Sequence, residues 1–394
     1  MNMPDISVIM PCHNRASDLS EVLKAYDRQR GEEQFELIAI DDASTDATYN
    51  VLSTFKATRF EIRIERLTTN QGPAAARNTG IARAKAPLIL FVGDDIVPDI
   101  SLISGHVAAH RRYPQREVAI LGRVEWPKDI SVNTLMAHID GIGAQQFSYH
   151  YMRDEQEYDF RHLYTANVSL KRDFLFLLER WFDIDFRYAA FEDAELAYRL
   201  SKLGSRIIYA AALTAYHYHY HNIWSFSDRQ YKMGLMACVF ADKHPEIIKI
   251  IVGKRWRFQN ILWRFMGALR PNFSQYTNWL ETQTLHLLNA YEWADHRLTD
   301  YLYLRVLNYY YYKGLIYGTY GESKLCRSVH NIYAQRVLVS LLSRFLRQCD
   351  QIGEELPEGY GPWLLNGLRK IEQKTFFTIL EVDSSFPIEY NSIE

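Results

Sequence analysis

The sequence predicts an α/β chain: a mixed, mostly parallel sheet over residues 1–225, followed by a helical domain over 226–394. Three observations predict it. Short apolar runs alternate with helix-period segments up to about residue 220. The early runs are separated by stretches long enough for crossover helices, which makes successive strands parallel. Past Trp224 the strand-like runs vanish and helical periods dominate.

The elements follow in order. Ile6 to Met10 is a buried-strand run, and Leu19, Val22, Leu23 and Tyr26 then recur at helical spacing. Leu37 to Ile40 is a second strand ending in Asp41-Asp42. Ser44, Thr45 or Asp46 can cap the helix after it, with Ala47, Val51 and Phe55 as its inward face. Glu61 to Leu67 reads as a half-exposed strand, and Gly72-Pro73 opens a third helix. Leu88 to Val92 is a fourth strand, ending at Gly93-Asp94-Asp95. A helix near 101–112, strands near 117–124 and 163–170, a helix over 171–181 and a helix over 192–203 stopped by Gly204 come next. A strand from Arg206 to Tyr216 runs into His217-Tyr218-His219-Tyr220-His221. The stretch 353–361 is loop-like, and the tail past Asp383 is expected to fray.

Composition excludes several classes. The 394 residues suit two or three domains, and a formal charge of −2 gives no basic footprint for nucleic acid. Hydrophobic residues at 48% and charged ones at 23% are globular proportions. The four cysteines Cys12, Cys238, Cys326 and Cys349 lie far apart and read as reduced thiols. The opening MNMPDISVIMPCHNR has no basic leader, and no apolar run is long enough to span a bilayer, so the expected location is cytoplasmic.

Ligands of open α/β sheets bind beyond the carboxyl ends of the strands. Asp41-Asp42 and Asp94-Asp95 sit at two such ends. Two acidic pairs in one crevice repel each other, and a hard cation such as Mg²⁺ or Mn²⁺ relieves that. The competing reading, helix capping, is preferred for Asp46. His217, His219 and His221 share one face if their run is a strand. One of them completes a metal shell, His217 ahead of His219, or the row is a solvated edge. Cys12 lies beside the first turn with nothing to mark it as a nucleophile.

The segments SVIMPCHNR, AIDDASTDAT, NQGPAAARNTGIARAK, LILFVGDDIVP and RYAAFEDAELAYRLSKLG, in that order and spacing, resemble the family 2 glycosyltransferases of GT-A fold. The resemblance covers roughly the first 220 residues. It implies a nucleotide-sugar donor, usually of uridine, and a glycan, lipid-linked or other hydroxyl acceptor. It implies that Pro11 lines the base, Asp42 hydrogen-bonds it, and Arg77 lies near base and diphosphate. Asp94 then faces the ribose, Asp95 holds the metal, and His217 or His219 adds a third ligand. Asp193 matches the catalytic base, with Glu192 beside it, and Asn167 is an acceptor-side candidate. His13 is near enough to Pro11 to contact the donor. A single displacement with inversion follows, because one carboxylate activates the acceptor hydroxyl opposite the leaving diphosphate. Taken without the resemblance, Glu192 and Asp193 read as first-turn acids suited to the helix dipole.

Rival readings are a nucleotidyltransferase, which would carry a Gly-rich loop where this chain has PCHNRASD, and a non-catalytic binder of nucleotide sugar or carbohydrate. The QxxRW-type segment of processive synthases is missing; the nearest stretch, FSDRQYKMG, lacks the Trp. The basic-aromatic KRWRFQNILWRF from Lys254 and the Tyr-rich stretch from Tyr301 to Tyr320 leave three readings: a helical domain filled with tyrosine, a peripheral membrane contact, or a homo-oligomer surface.

Overall fold

The computed structural model describes residues 3–141, 145–251, 274–293, 299–352, and positions 364, 367 and 368. The chain divides into two compact units, Met1–His221 and Asn222–Glu394.

In the first unit, β1 (Ile6–Cys12) is followed by α1 (Leu19–Asp27), β2 (Phe35–Asp41), α2 (Thr48–Thr54), β3 (Glu61–Arg66), α3 (Pro73–Arg83) and β4 (Leu88–Val92). Then come β5 (Ile96–Pro98), α4 (Leu102–Arg112), β6 (Val118–Glu125), α5 (Thr134–Asp140), β7 (Glu157–Tyr158), β8 (Asn167–Lys171), α6 (Arg172–Leu175), α7 (Glu192–Ser201) and β9 (Arg206–His217). The strands form one sheet in the order β3-β2-β1-β4-β8-β6-β9-β5, with β7 on β9. β3, β2, β1 and β4 are parallel, as are β6 and β9, whereas β8 runs antiparallel to both its neighbours. The mixed, mostly parallel sheet expected from the sequence is therefore present. Its central strands are dry on both faces: Ile6, Val8, Ile9, Leu37, Ile38, Leu90 and Phe91 are fully buried. That pattern of continuous apolar runs belongs to a sheet covered on both sides.

Several local expectations change. β5 and α5 were not anticipated from the sequence. The inward face of α2 is Thr48 and Leu52, with Val51 and Phe55 packed at its margin and Ala47 exposed. The helix expected over 171–181 ends at Leu175. Beyond it the backbone of Phe182 bonds the side chain of Asn78 twice: Phe182 N donates to Oδ1 at 2.9 Å, and Asn78 Nδ2 donates to Phe182 O at 2.8 Å. A tertiary partner thus satisfies both main-chain groups of this loop residue. α7 stops as expected at Gly204, whose φ of 89° is a left-handed conformation glycine adopts without cost.

The second unit is helical among its described residues. Asn222 caps the helix Ile223–Lys243 through a reciprocal capping box with Ser225. Helices Ser274–Ala290, Thr299–Tyr320, Lys324–Ala334 and Ser340–Ile352 follow. The helices 223–243 and 299–320 touch backbone to backbone. A methyl on Gly234 would lie 2.0 Å from Tyr311 O, and one on Gly314 would lie 2.1 Å from Tyr231 O. The Tyr-rich stretch faces inward at Tyr303, Tyr309 and Tyr310, which supports the packing reading of that helix. The basic-aromatic segment from Lys254, the loop at 353–361 and the tail lie outside the described residues. No helix among the described residues is long and apolar enough to cross a membrane.

Candidate active site

The site is built at the carboxyl ends of β1, β2 and β4, where the parallel strands release their chains into loops. Asn14 and Ala43, just past β1 and β2, both adopt a φ of 53°, and Phe191, just before α7, adopts 66°. Left-handed backbone at alanine and phenylalanine costs about 1 kcal/mol or more each and persists where surrounding structure imposes it.

Two loops are stitched together first. Asn14 N donates to Ser44 Oγ at 3.0 Å, Thr45 N to Asn14 Oδ1 at 2.9 Å, and Arg15 N to Thr48 Oγ1 at 2.7 Å. Asp46 accepts from Thr48 N at 2.9 Å and Ala16 N at 3.0 Å, so it fixes a helix start, as expected. Pro11 lies in β1 opposite Ile40. Asp41 is fully buried and pairs with Arg66 Nε at 3.0 Å.

Asp42 is buried, and its two oxygens accept from the backbone N–H groups of Gln71 and Gly72, each at 2.8 Å. Its carboxylate anchors the turn before α3, so a donor base would reach it only through the remaining lone pairs. His13 lies beside it, with Nδ1 2.9 Å from Asp42 O and Asn70 Nδ2 at 3.2 Å.

Asp94 and Asp95 form the turn after β4. Asp94 accepts from His13 N at 3.0 Å and from Arg15 Nε at 3.3 Å. Burial, then the adjacent Asp95 charge, pushes Asp94 up to about 7 against those donors. Asp95 has the opposite fate. Burial raises it, but His217, Arg15 and His219 together hold it below the usual carboxylate range. Its Oδ2 lies 2.8 Å from an Arg15 terminal nitrogen, 3.3 Å from His217 Nε2 and 3.5 Å from His219 Nδ1.

Asp95, His217 and His219 offer three ligand atoms within 4.8 Å of one another. β9 delivers His217 there because it pairs with β5: Ile96 faces His217, and Tyr218 N donates to Asp95 O at 2.9 Å. Trp126, just past β6, stacks on the His217 ring at 5.1 Å and 11°. One carboxylate and two imidazoles suit a divalent transition ion, and the imidazoles favour Mn²⁺ over Mg²⁺.

Glu192 and Asp193 open α7. Glu192 is buried, and its Oε1 accepts from Arg77 at 2.8 Å. Arg77 is itself buried and lies over the Phe182 ring. It therefore pairs with the acidic start of α7. Asp193 is half-buried and accepts from Ala194 N at 2.8 Å and from Thr165 N. Desolvation, then the Glu192 charge, pushes it up to about 7. The two acidic turns meet at one sheet end: Thr165 lies just before β8, whose Asn167 pairs with Val92, next to the Asp94 turn.

Asn167 is corrected. It is fully buried, with Nδ2 donating to Arg123 O at 3.1 Å and Leu213 O at 2.9 Å. Its Oδ1 meets His106 Nε2 at 2.9 Å, in a buried chain that continues through Ser169 and His110 to Lys171. A methyl on Gly122 would lie 2.3 Å from the Asn167 amide, so glycine is required beside it. Asn167 locks the bulge where β6 meets β9, and no acceptor touches it. Burial holds His106 down to about 4 and His110 down to about 3, both neutral.

Sequence reasoning missed Arg15 and Trp126. Arg15 was legible as the cation nearest to two acidic pairs in PCHNR. Trp126 had no signal, because only the β6–β9 pairing brings it to His217.

The description Glycosyl transferase family 2 matches residues 7–176. An uncharacterized glycosyltransferase of Haemophilus influenzae is 38% identical over 95 residues, covering 24% of this chain and 38% of that protein. The uncharacterized glycosyltransferase YfnE of Bacillus subtilis is 32% identical over 104 residues, 26% of each chain. The poly(ribitol-phosphate) beta-glucosyltransferase of Bacillus spizizenii is 38% identical over 93 residues, 23% of this chain and 14% of that one. The chain thus spans well under half the length of these relatives, and the residues matched by the family lie in the first unit. Residues 7–176 are thus similar to the family 2 glycosyl transferases.

Proposed function

We propose that the first unit is an inverting glycosyltransferase that moves a sugar from a UDP-sugar to an acceptor hydroxyl in polysaccharide or glycoconjugate synthesis. The observation that carries this reading is the convergence of Asp95, His217 and His219 within 4.8 Å at the sheet end where Glu192 and Asp193 open α7. A polymer acceptor agrees with the name of the Bacillus spizizenii relative, and its beta linkage agrees with inversion.

Asp95, His217 and His219 would hold a divalent cation, Mn²⁺ or Mg²⁺, which when bound supplies Lewis-acid stabilisation to the leaving diphosphate. Asp193 takes the acceptor proton; desolvation and the neighbouring Glu192 raise its pKa and so make it a stronger base than an ordinary carboxylate. The Glu192 carboxylate beside Asp193 raises its basicity, and Arg77, paired with Glu192, offsets part of that effect. Trp126 fixes the His217 ring plane. Pro11 and His13 border the donor side, and the twice-bonded Asp42 shapes it through the 71–72 turn.

The test is release of UDP from a set of UDP-sugars with Mn²⁺ and glycan or polyol-phosphate acceptors, with NMR of the new linkage. An α-linked donor is expected to give a β product. An α product rules out single displacement, and Mn²⁺-dependent UDP binding without transfer to any acceptor favours the non-catalytic binder.

A further inference from the structure

The acidic turn after β4 already holds a cation of the chain's own. Arg15 reaches both carboxylates, Nε to Asp94 at 3.3 Å and a terminal nitrogen to Asp95 Oδ2 at 2.8 Å. That same Oδ2 is the oxygen the two imidazoles approach. A divalent ion binds a carboxylate oxygen at about 2.0–2.2 Å. An ion on Asp95 Oδ2 would then lie within a few ångströms of the guanidinium, and like charges that close in a half-buried site repel strongly. The backbone under Arg15 cannot yield, because it is tied to Thr48 and flanked by the Asn14–Ser44 and Asn14–Thr45 bonds. The side chain can: 23% of it is exposed.

We infer that Arg15 and a divalent cation compete for Asp95, and that the donor's diphosphate settles the competition by drawing the guanidinium onto its own oxygens. The inference rests on the metal reading of Asp95, His217 and His219. Arginine suits the exchange, since its planar fork matches carboxylate and phosphate alike. Metal alone then binds weakly. Metal and nucleoside diphosphate strengthen each other by the same factor, as linkage requires. The device would keep the chain from holding a cation before a donor arrives.

The experiment measures Mn²⁺ binding to the full chain by electron paramagnetic resonance of the unbound ion and by calorimetry, with and without UDP. Arg15→Gln is expected to bind Mn²⁺ alone about tenfold more tightly than the unaltered chain, and to gain less from UDP. Arg15→Lys keeps the charge that the two acids need, so it folds even if the glutamine variant does not. Loss of one Arg Nε–H signal in Arg15→Lys assigns that resonance. Adding diamagnetic Mg²⁺ with UDP to the unaltered chain should then move the Arg15 signal. If Arg15→Gln binds Mn²⁺ no more tightly while Asp95→Ala abolishes binding, Arg15 does not compete and the metal reading stands. An unmoved Arg15 signal on saturation overturns the inference in the same way. If the unaltered chain binds no Mn²⁺ with or without UDP, the metal reading falls, and the inference with it.

Discussion

Two carboxylates, one in each unit, have nearly the same surroundings on paper. Asp95 meets an arginine and two histidines; Glu281 meets Lys313, His330 and Tyr309. Their side chains are about equally exposed, at 14% and 12%. Both are held in the ionised form. Burial alone would raise Glu281, yet His330 and Lys313 lower it to about 2. What differs is the scaffold. The Glu281 partners project from two helices, 299–320 and 324–334, and both its oxygens accept from Lys313, at 2.8 and 2.9 Å. The Asp95 partners come from a loop after β1 and from the end of β9. A carboxylate enclosed by helices stabilises a fold, whereas one ringed by strand-end loops is placed for a ligand. Burial and charge do not separate the two; the place of the partners does, helix faces for Glu281 and strand ends for Asp95.

The largest expected effect is on the second acid of the site. Asp193→Asn should lower turnover by about 10²–10⁴-fold with donor affinity little changed, because the amide keeps the shape but accepts no proton. Steady-state kinetics beside UDP calorimetry check this. Glu192→Gln should do less, and the opposite order would move the base to Glu192.

The comparison itself is broken or sharpened by a matched pair of variants. Glu281→Ala leaves Lys313 and His330 without their acid and should cost about 3–5 kcal/mol of stability while UDP and Mn²⁺ binding persist. Asp95→Ala should do the reverse, abolishing most Mn²⁺-dependent UDP binding with a melting temperature little changed. Equal loss of stability in both would erase the distinction drawn between them.

Their pH responses should also part. Asp193 sits near 7, so it loses its role as a base when protonated. kcat/KM should fall about tenfold per pH unit as pH drops below about 7. Glu281 is lowered to about 2 from an ordinary value near 4.5. Its ion pair therefore stabilises the second unit fully above about 4.5, and that stability is lost as pH falls from there toward 2. Activity should decline well before the helical unit loosens, as circular dichroism across the same range would show.

The smallest effect is expected in the helix crossing. Gly234→Ala must push apart two backbones already in contact and should cost about 1–3 kcal/mol, read in a denaturant melt, with kinetics unmoved.

The sequence by itself determined the alternation of strands and helices to residue 220, the change of character after it, and the acids at the strand ends. Those are local properties: apolar period, a proline or glycine at an element boundary, and a carboxylate at the end of a buried run. It also put His217 and His219 on one face, through the two-residue period of a strand, and both reach Asp95. Only the tertiary structure decided who meets whom. Arg77 on α3 pairs with Glu192 at the start of α7, 115 residues away, and Asn167 sank into the β6–β9 bulge because Gly122 leaves room for its amide. Past the short α6 the backbone of Phe182 is held by the side chain of Asn78, 104 residues away in sequence. Arg15 and Trp126 gained their places from strand pairings between residues about 80 or more apart, as when Asp95 meets Arg15 and His217. A side chain's partners at such separations depend on register and loop geometry, which no local pattern encodes.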